Sequence, residues 1–316
     1  MPFLSRVRSI SRDSKGAAAY GSSAELNEFE GTRLNRESAR FHPGLFEGCA
    51  NPGCRSGWLH LWRSRSVPVF EAGWTCSPDC TEARTAAAVR RELDGRVGFR
   101  ESHRHRIPLG LLMLEQGWIT QGQLRHALDA QKAGGAGRLG QWLVRQRAAD
   151  EQTVTRALGL QWSCPVLPLQ FHDAASLTAV MPRLFVDAYG ALPMRLAAGK
   201  LLYLGFDGCL DPVLALAIER MSGLRVESGI VQGSLFQAAH ARMLDAIFPS
   251  VELVEAVSEA AAAHALARSV ERARPIASRL VRVHECLWLR MWLRRQNEPL
   301  PACDSILDVV CSIGAL

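Results

Sequence analysis

Apolar residues recur at helical spacing in two neighbouring stretches of this chain, and the second stretch repeats the first thirty residues later. The first copy runs from Pro108 to Gln131 and the second from Arg138 to Gln161. Each copy predicts two short helices joined by a tight turn. Because a lone helical hairpin cannot bury its apolar face, we expect the two copies to pack on each other as one folded unit.

Cap and turn residues mark where these helices begin and end. In the first copy, Gly117 suits a left-handed helix end, and Thr120 with Gln123 has the pattern of a capping box. In the second copy, Asp150 is the expected N-cap of the helix that carries Val154. The same kinds of local signal therefore mark the helix ends in both copies.

Beyond Cys164 the apolar pattern changes to alternating helices and strands. A helix is predicted over 182–189, where Gly190 stops it, and a hairpin follows over 192–206. The segment 224–231 supplies a third strand. This part of the chain predicts an α/β lobe with a three-stranded sheet.

Two further helices of this lobe are indicated by their first residues. Asp211 and Pro212 supply a cap and a first helical position, and that helix is expected to end before Gly223. Ser234 is the expected cap of the last helix.

The C-terminal part reads as a helix, two strands and a helix. After the break at Pro249, an Ala-rich helix is predicted over 251–273, then a hairpin that turns at 284–286, and finally a short helix over 304–311. We therefore expect a small αββα unit.

Together these patterns predict an α+β protein of several domains. The predicted divisions are a mostly disordered arm over 1–40, a four-cysteine finger over 41–100, a helical tandem-repeat lobe over 101–163, the α/β lobe over 164–249, and the C-terminal unit over 250–316.

Composition and charge narrow the class of protein. The chain has 316 residues, of which 48% are hydrophobic, so it can build real cores. Its 37 Lys and Arg outweigh its 31 Asp and Glu, and many of the basic residues lie in the first 106 positions. An anionic ligand, a membrane surface or a nucleic acid therefore stays open as a partner. No apolar run approaches a bilayer span, and the start lacks the apolar core of a secretory signal, so we expect a cytoplasmic protein.

Cysteine spacing predicts a metal site. Cys49 and Cys54 are separated by four residues, Cys76 and Cys80 by three, and the two pairs by 21. Two close pairs across such a spacer suit one tetrahedral zinc ion with four cysteine ligands. The order of knuckle, hairpin and helix resembles a treble-clef zinc finger. Four cysteine ligands leave no position for activated water, so the zinc would be structural. The alternative is four ordinary free cysteines.

The same finger carries residues that suit nucleic acid. Arg55, Arg63 and Arg65 lie near Trp58 and Trp62 in the sequence. The alternative is that the tryptophans pack a small core while the arginines are solvated.

The tandem repeat and the lobe after it resemble, over about 104–249, the N-terminal domain of type II secretion and type IV pilus assembly ATPases. The likeness rests on an opening Arg-Leu-Gly triplet, glycine and leucine positions, and a closing glutamine in each copy. In that family the tandem motif often binds cyclic di-GMP. The resemblance implies a nucleotide site at the following positions: Leu109, Gly110, Gln131, Arg138, Leu139, Gly140 and Gln161.

Two positions depart from the family pattern. Pro108 stands where the first copy should have an arginine, so half of the expected charge is missing unless Arg106 reaches the site. Arg147 stands where the second copy should have a glycine, and a left-handed residue other than glycine costs on the order of 1 kcal/mol. That turn is therefore either strained or reshaped. The alternative for the whole motif is helix packing with solvated glutamines.

The assembly ATPases need a Walker A loop after this domain, and the sequence contains none. We therefore expect a non-enzymatic cytoplasmic protein that regulates or docks. The resemblance implies a protein partner in a secretion or pilus machinery. The alternative is a nucleic-acid-binding regulator that makes its contact through the basic arm and the finger.

Overall fold

The computed structural model describes residues 48–55, 67–71, 73–95, 106–169, 174–295 and 300–314. Within them the fold is α+β, as predicted, with three sheets and a cluster of four cysteines. The predicted arm over 1–40 and much of the predicted finger hairpin, over 56–66, lie outside the described residues. None of the described helices combines the length and the apolar character that crossing a bilayer requires.

The cysteine unit, residues 48–55 and 67–95, contains two short strands and one helix. Strands β1 (Val69–Phe70) and β2 (Gly73–Trp74) pair antiparallel, and α1 (Pro78–Asp94) follows. The helix begins where it does because the Ser77 hydroxyl accepts a hydrogen bond from the backbone N–H of Cys80 and a proline occupies the first helical position.

The repeat lobe consists of four helices, two from each sequence copy. These are α2 (Leu109–Glu115), α3 (Gln121–Gly134), α4 (Leu139–Arg145) and α5 (Glu151–Trp162). The capping box at Thr120 and the N-cap at Asp150 are both confirmed. The lobe has a core of its own, and its fully buried members occupy matching positions of the two copies: Met113 and Leu143, Ala127 and Ala157.

The α/β lobe has the predicted three-stranded sheet. Its elements are α6 (Ala174–Leu177), a 3₁₀ turn (Thr178–Val180), α7 (Arg183–Tyr189), β3 (Ala191–Ala197), β4 (Leu201–Phe206), α8 (Pro212–Ser222), β5 (Arg225–Ile230) and α9 (Gly233–Leu244). Strand β4 lies in the middle, antiparallel to β3 and parallel to β5, with α8 as the crossover.

Most of the predicted helix ends of this lobe are confirmed. Gly190 and Gly223 take left-handed conformations after α7 and α8, and Asp211 caps α8 through a 2.9 Å hydrogen bond to the N–H of Leu214. The predicted cap at Ser234 is wrong, because α9 already begins at Gly233 and its terminal groups bind a carboxylate from another helix.

The C-terminal unit, residues 250–295 and 300–314, is not the predicted αββα. Its elements are β6 (Ser250–Ala256), α10 (Glu259–Ala273), β7 (Ala277–Val283), β8 (Cys286–Trp292), a 3₁₀ turn (Cys303–Ser305) and β9 (Ile306–Ile313). The strands form one sheet in the order β6-β9-β8-β7, in which only β6 and β9 run parallel. The predicted hairpin turn at 284–286 is confirmed.

Of the two helices predicted for this unit, the first is confirmed but begins later than predicted, and the second is wrong. The Ala-rich helix was expected from 251, but Ser258 caps it through the N–H of Ala261, and the residues before that cap form β6. The expected helix over 304–311 is strand β9, whose residues pair with strands on both sides. Long-range pairing overrides local helical spacing here.

The four-stranded sheet is covered on both faces. Trp288 and Val310 point into a core shared with the α/β lobe, whereas Leu287, Leu289 and Val309 point into a second core. The second core is completed by side chains of α1 and α10. The cysteine unit and the C-terminal unit, far apart in sequence, therefore share one hydrophobic core, while the predicted domain boundaries stay predictions.

Candidate functional site

The four cysteines whose spacing predicts a metal site also lie close together in the structure. The Sγ atoms of Cys49, Cys54, Cys76 and Cys80 all lie within 4.8 Å of one another. The sulfurs of Cys54 and Cys76 are 3.5 Å apart, and those of Cys76 and Cys80 are 3.6 Å apart. Tetrahedral zinc with bonds of ~2.3 Å separates its sulfur ligands by ~3.8 Å, so the cluster has the size of such a site.

Local structure explains why the sulfurs converge. Asn51 forms a tight turn, in which its backbone oxygen accepts from the N–H of Cys54 at 3.0 Å and its side-chain oxygen accepts from the N–H of Gly53 at 3.1 Å. The Asn51 amide also donates to the Cys80 sulfur at 3.3 Å. Cys80 lies in the first turn of α1, so the start of this helix brings the fourth sulfur to the cluster.

The cluster is costly for thiolates when no cation is present. Burial, together with hydrogen bonds from the neighbouring cysteines, raises the pKa of Cys76 to about 12. Burial also raises the pKa of Cys49. A metal ion would remove this cost by replacing the thiol protons, and four soft sulfur donors without an oxygen ligand fit zinc.

In the repeat lobe, the two copies contact each other reciprocally through their glycines. A β-carbon added to Gly110 would lie 3.1 Å from Cδ2 of Leu139, and one added to Gly140 would lie 3.7 Å from Cδ2 of Leu109. The same added β-carbons would lie only 2.5 Å from Leu124 in the first copy and 2.6 Å from Val154 in the second, which is closer than real carbon atoms approach. The glycines are thus required for close packing, and the copies are related by an approximate two-fold axis.

The closing glutamines follow the same reciprocity. Gln131 donates from Nε2 to the backbone oxygen of Gly137 at 2.9 Å, and Gln161 donates to that of Ile107 at 2.8 Å. Gly137 and Ile107 hold matching places before the two copies. Each glutamine therefore fixes the entry of the other copy, a structural role that the sequence analysis did not anticipate.

Arg138 lies at the seam between the repeat lobe and the α/β lobe. Its Nη1 donates to the backbone oxygen of Asp207 and lies 3.7 Å from the Asp207 carboxylate. Its side chain is 62% exposed, so the guanidinium remains accessible. The loop after β4, which includes Gly208, is a part of this site that the motif alone did not reveal.

The turn at Arg147 is strained rather than reshaped. Gly117 has φ of 68° and Arg147 has φ of 55°, both left-handed. The backbone hydrogen bonds around the two turns match in position and length, for example Gly117 N–H to Leu114 at 3.0 Å and Arg147 N–H to Val144 at 2.9 Å. The second copy therefore keeps the turn of the first and carries its backbone cost.

Most of the residues on which the nucleic-acid hypothesis rests lie outside the described part of the structure. Trp58, Trp62, Arg63 and Arg65 lie outside the described residues. Only Arg55 of that set is described, and it is exposed.

The solved structures to which the chain is similar include the following three. For a structure of MshE with cdg, the identity is 25%, the match covers 44% of this chain and 99% of that one, and the TM-score is 0.36. For one crystal form of the XpsE N-terminal domain, the identity is 15%, the match covers 42% of this chain and 92% of that one, and the TM-score is 0.32. For a second crystal form of the same domain, the identity is 17%, the match covers 41% of this chain and 90% of that one, and the TM-score is 0.25. No family model and no curated protein matches the chain.

Proposed function

We propose that this chain is a non-enzymatic regulatory or docking protein whose repeat lobe binds cyclic di-GMP. The observation that carries the proposal is the reciprocal packing of Leu109 on Gly140 and of Leu139 on Gly110, which leaves Arg138 accessible beside them. A cyclic dinucleotide of two identical halves is itself two-fold symmetric, so a lobe with an approximate two-fold axis suits it.

The chemistry of the lobe also suits this ligand. Phosphates are best bound by arginine, because the guanidinium fork matches their oxygens. In this proposal the glutamines at 131 and 161 hold the two copies in register around the ligand.

The cysteine cluster has a structural part in the proposal. Cys49, Cys54, Cys76 and Cys80 hold one zinc ion, which ties the turn at Asn51 to the start of α1. Because α1 packs into the core of the C-terminal unit, the metal stabilises that body and takes no part in chemistry. The docking partner we propose is a component of a secretion or pilus machinery, in keeping with the family resemblance, and the setting is the cytoplasm.

Calorimetry with the full chain tests nucleotide binding. We expect cyclic di-GMP to bind the native protein, and Arg138→Ala to weaken binding by about ten-fold or more, because it removes a charge-assisted contact. Arg125→Ala is the matched control, since Arg125 is exposed on α3 of the same lobe. Equal affinity of the native protein and Arg138→Ala, or no binding at all, would contradict the proposal. Tight binding of duplex DNA instead would favour the nucleic-acid alternative.

Metal analysis tests the zinc site. We expect about one zinc per chain and its loss in the double variant Cys76→Ser, Cys80→Ser. Cys303→Ser is the control, because Cys303 lies outside the cluster. A native protein without zinc after purification free of chelators, which also takes up none on titration, would show that these are ordinary free cysteines.

A further inference from the structure

Strand β6 lies at an edge of the four-stranded sheet, and no described residue forms a hydrogen bond to its outer backbone groups. The strand is regular, because its pairing with β9 continues without interruption from Ser250 to Ala256. It also contains no lysine and no proline, two residues that commonly block pairing at an edge. An edge of this kind is suited to pairing with another extended segment.

The opposite edge of the same sheet, strand β7, is blocked. The backbone N–H of Arg282 donates to the buried carboxylate of Glu92 at 3.1 Å. The hydroxyl of Ser278 donates to the backbone oxygen of Val69 at 3.0 Å and accepts from the N–H of Glu71 at 3.2 Å. The cysteine unit therefore covers β7, whereas β6 has no such cover among the described residues.

The backbone of β6 presents alternate residues to the outside. The N–H of Gly314, just after β9, donates to the backbone oxygen of Ala256 at 2.8 Å, so Ala256 directs its backbone groups towards β9. Successive residues of a strand alternate in direction. The residues that direct N–H and C=O away from the sheet are therefore Val251, Leu253 and Glu255. Their backbone groups are the ones that a further strand would bind.

The side chains of β6 determine which strand would fit beside it. Leu253, in the middle, is 48% exposed. On its face, Val251 packs against the core shared with the α/β lobe, and Glu255 is exposed. On the other face, Glu252 is already paired with Arg272 of α10 at 2.5 Å. A neighbouring strand must therefore place an apolar residue opposite Leu253 and no carboxylate opposite Glu255.

A second copy of β6 meets both requirements in one antiparallel register. When the two strands are centred on Leu253, the leucines of the two copies lie opposite each other, and each Val251 lies opposite the Glu255 of the other copy. Each of these three residue pairs then exchanges two hydrogen bonds, about six in all. Because an antiparallel pair of identical strands is two-fold symmetric, the contact is closed at two copies.

The neighbouring registers are less favourable. A pair centred on Glu252 or on Glu255 would place the same carboxylate of both copies directly opposite, which is destabilising. A pair centred on Val251 would place Leu253 opposite Pro249, which has no N–H to donate. A pair centred one residue after Leu253 would place that leucine opposite the carboxylate of Glu255. The residue pattern of β6 thus selects the register about Leu253.

We propose that the chain forms a two-fold symmetric dimer in which β6 pairs antiparallel with β6 of a second copy, centred on Leu253. The four-stranded sheets of the two copies then form one continuous sheet. The repeat lobe and the cysteine cluster take no part in this contact. The inference therefore goes beyond the proposed function and does not depend on it.

Analytical ultracentrifugation of the full chain across the micromolar range tests the dimer. We expect the native protein to dimerise and Leu253→Lys to raise the dissociation constant by about ten-fold or more, because two lysines then lie opposite each other at the centre. Leu235→Lys is the matched control, since Leu235 on α9 is 47% exposed, and it should dimerise like the native protein. A native protein that stays monomeric, or equal weakening in both variants, would overturn the proposal.

Hydrogen exchange locates the contact and checks that the variant is folded. We expect the amides of Val251 and Glu255 to be protected in the native dimer and to exchange about ten-fold faster or more in Leu253→Lys. The amides of β8 should keep their protection in both proteins, because β8 lies inside the sheet. Slow exchange of Val251 and Glu255 in a monomer would mean that another segment of the chain covers the edge, and would contradict the dimer.

Leu253→Cys tests the register. In the proposed pair the two α-carbons at position 253 lie about 5.5 Å apart, within the range that a disulfide spans. When oxidised glutathione is added, we expect a covalent dimer that a reducing agent reverses, well above the background from the native cysteines. Leu235→Cys, of matched exposure, should stay at that background. A yield in Leu253→Cys no higher than in Leu235→Cys would overturn the assignment of this edge.

Discussion

The repeat lobe and the cysteine unit are joined to the rest of the protein in opposite ways. The repeat lobe has its own core, and apart from Leu158 and Trp162 at the end of α5, its side chains reach the α/β lobe through polar contacts. The cysteine unit has no separate core among the described residues, because Phe70 and Val89 belong to the core of the C-terminal unit. A unit with its own core can move as a body, whereas a unit that shares one cannot leave without exposing it.

Charged contacts reinforce the attachment of the cysteine unit. Glu92, near the end of α1, has a side chain only 1% exposed and receives both terminal nitrogens of Arg220 in α8, at 2.6 and 2.9 Å. Its second oxygen also accepts from the backbone N–H of Arg282 in β7 at 3.1 Å. One carboxylate therefore joins the cysteine unit, the α/β lobe and the C-terminal unit. For the proposed function, we therefore expect the repeat lobe to be the part that moves. We call the cysteine unit and the C-terminal unit, which share a core, the rigid part.

The largest expected effect is the loss of the buried ion pair in the rigid part. Arg290 and Asp308 face each other across β8 and β9 with side chains 2% and 0% exposed, and Asp308 also accepts from the indole of Trp288 at 2.9 Å. We expect Asp308→Ala to lower the free energy of unfolding of this body by about 3–5 kcal/mol, because a buried guanidinium loses its counter-charge. Hydrogen exchange of amides in β7, β8 and β9 measures the loss.

The exposed pair of Arg294 and Asp304 is the control for that prediction. Their side chains are 72% and 70% exposed, so Asp304→Ala should change stability by no more than about 0.5 kcal/mol. Amides of α3 and α5 should keep their protection in Asp308→Ala, since the repeat lobe has its own core. An equal loss of protection in those helices would break the comparison, because it would mean that both regions unfold as one unit.

A smaller effect is expected at the polar contact that holds the repeat lobe. Glu151, at the start of α5, accepts from the N–H and hydroxyl of Ser234 at 2.6 and 2.7 Å and from the amide of Gln232 at 2.9 Å. It thereby caps α9 of the other lobe. We expect Glu151→Ala to weaken this docking by about 1 kcal/mol, measured as faster hydrogen exchange at the first turn of α9. Glu115→Ala, an exposed acid of α2, should leave α9 unchanged.

The same contact should be lost in acid. Burial opposes ionisation of Glu151, but the hydrogen bonds from Ser234 and Gln232 outweigh it and lower the pKa of Glu151 below its ordinary value of 4.5. Its contribution is therefore complete above pH 4.5 and lost as the pH falls through the lowered value. The protection factors of the amides at the start of α9, taken relative to intrinsic exchange at each pH, should fall in that range in the native protein. Glu151→Ala should lack this part of the fall. An identical acid response in both proteins would mean that Glu151 does not hold the seam.

Local signals predicted the repeat lobe well and the rigid body poorly, for a physical reason. Thr120, Asp150 and Asp211 each cap the start of a helix by accepting a hydrogen bond from the backbone N–H three residues later. Such a cap can be recognised from neighbouring residues in the sequence. The cysteine spacing likewise encodes its own cluster. The prediction of a helix from 251 overlooked the cap at Ser258, so it also missed strand β6, which precedes that cap.

The missed features depend on partners far away in the sequence. The pair of Arg290 and Asp308 joins strands 18 residues apart, and Glu92 meets Arg220 across 128 residues. A charged residue such as Asp308 in an apolar run looks like the exposed side of a helix until its partner is known. The loop that meets Arg138 lies 69 residues further along the chain, so the motif could name the arginine but not its surroundings.

The smallest expected effect separates the two copies within the repeat lobe itself. Gly117 and Arg147 make the same left-handed turn, but only the arginine carries the steric cost of a β-carbon there. We expect Arg147→Gly to stabilise the lobe by about 0.5–1 kcal/mol and Gly117→Ala to destabilise it by about 1 kcal/mol, measured by exchange in α3 and α5. A β-carbon at Gly117 would meet nothing within 4 Å, so the second change tests the backbone alone. Arg147→Ala keeps the β-carbon and should match the native protein; if it stabilises the lobe as much as Arg147→Gly does, the cost lies in the arginine side chain and the turn is unstrained.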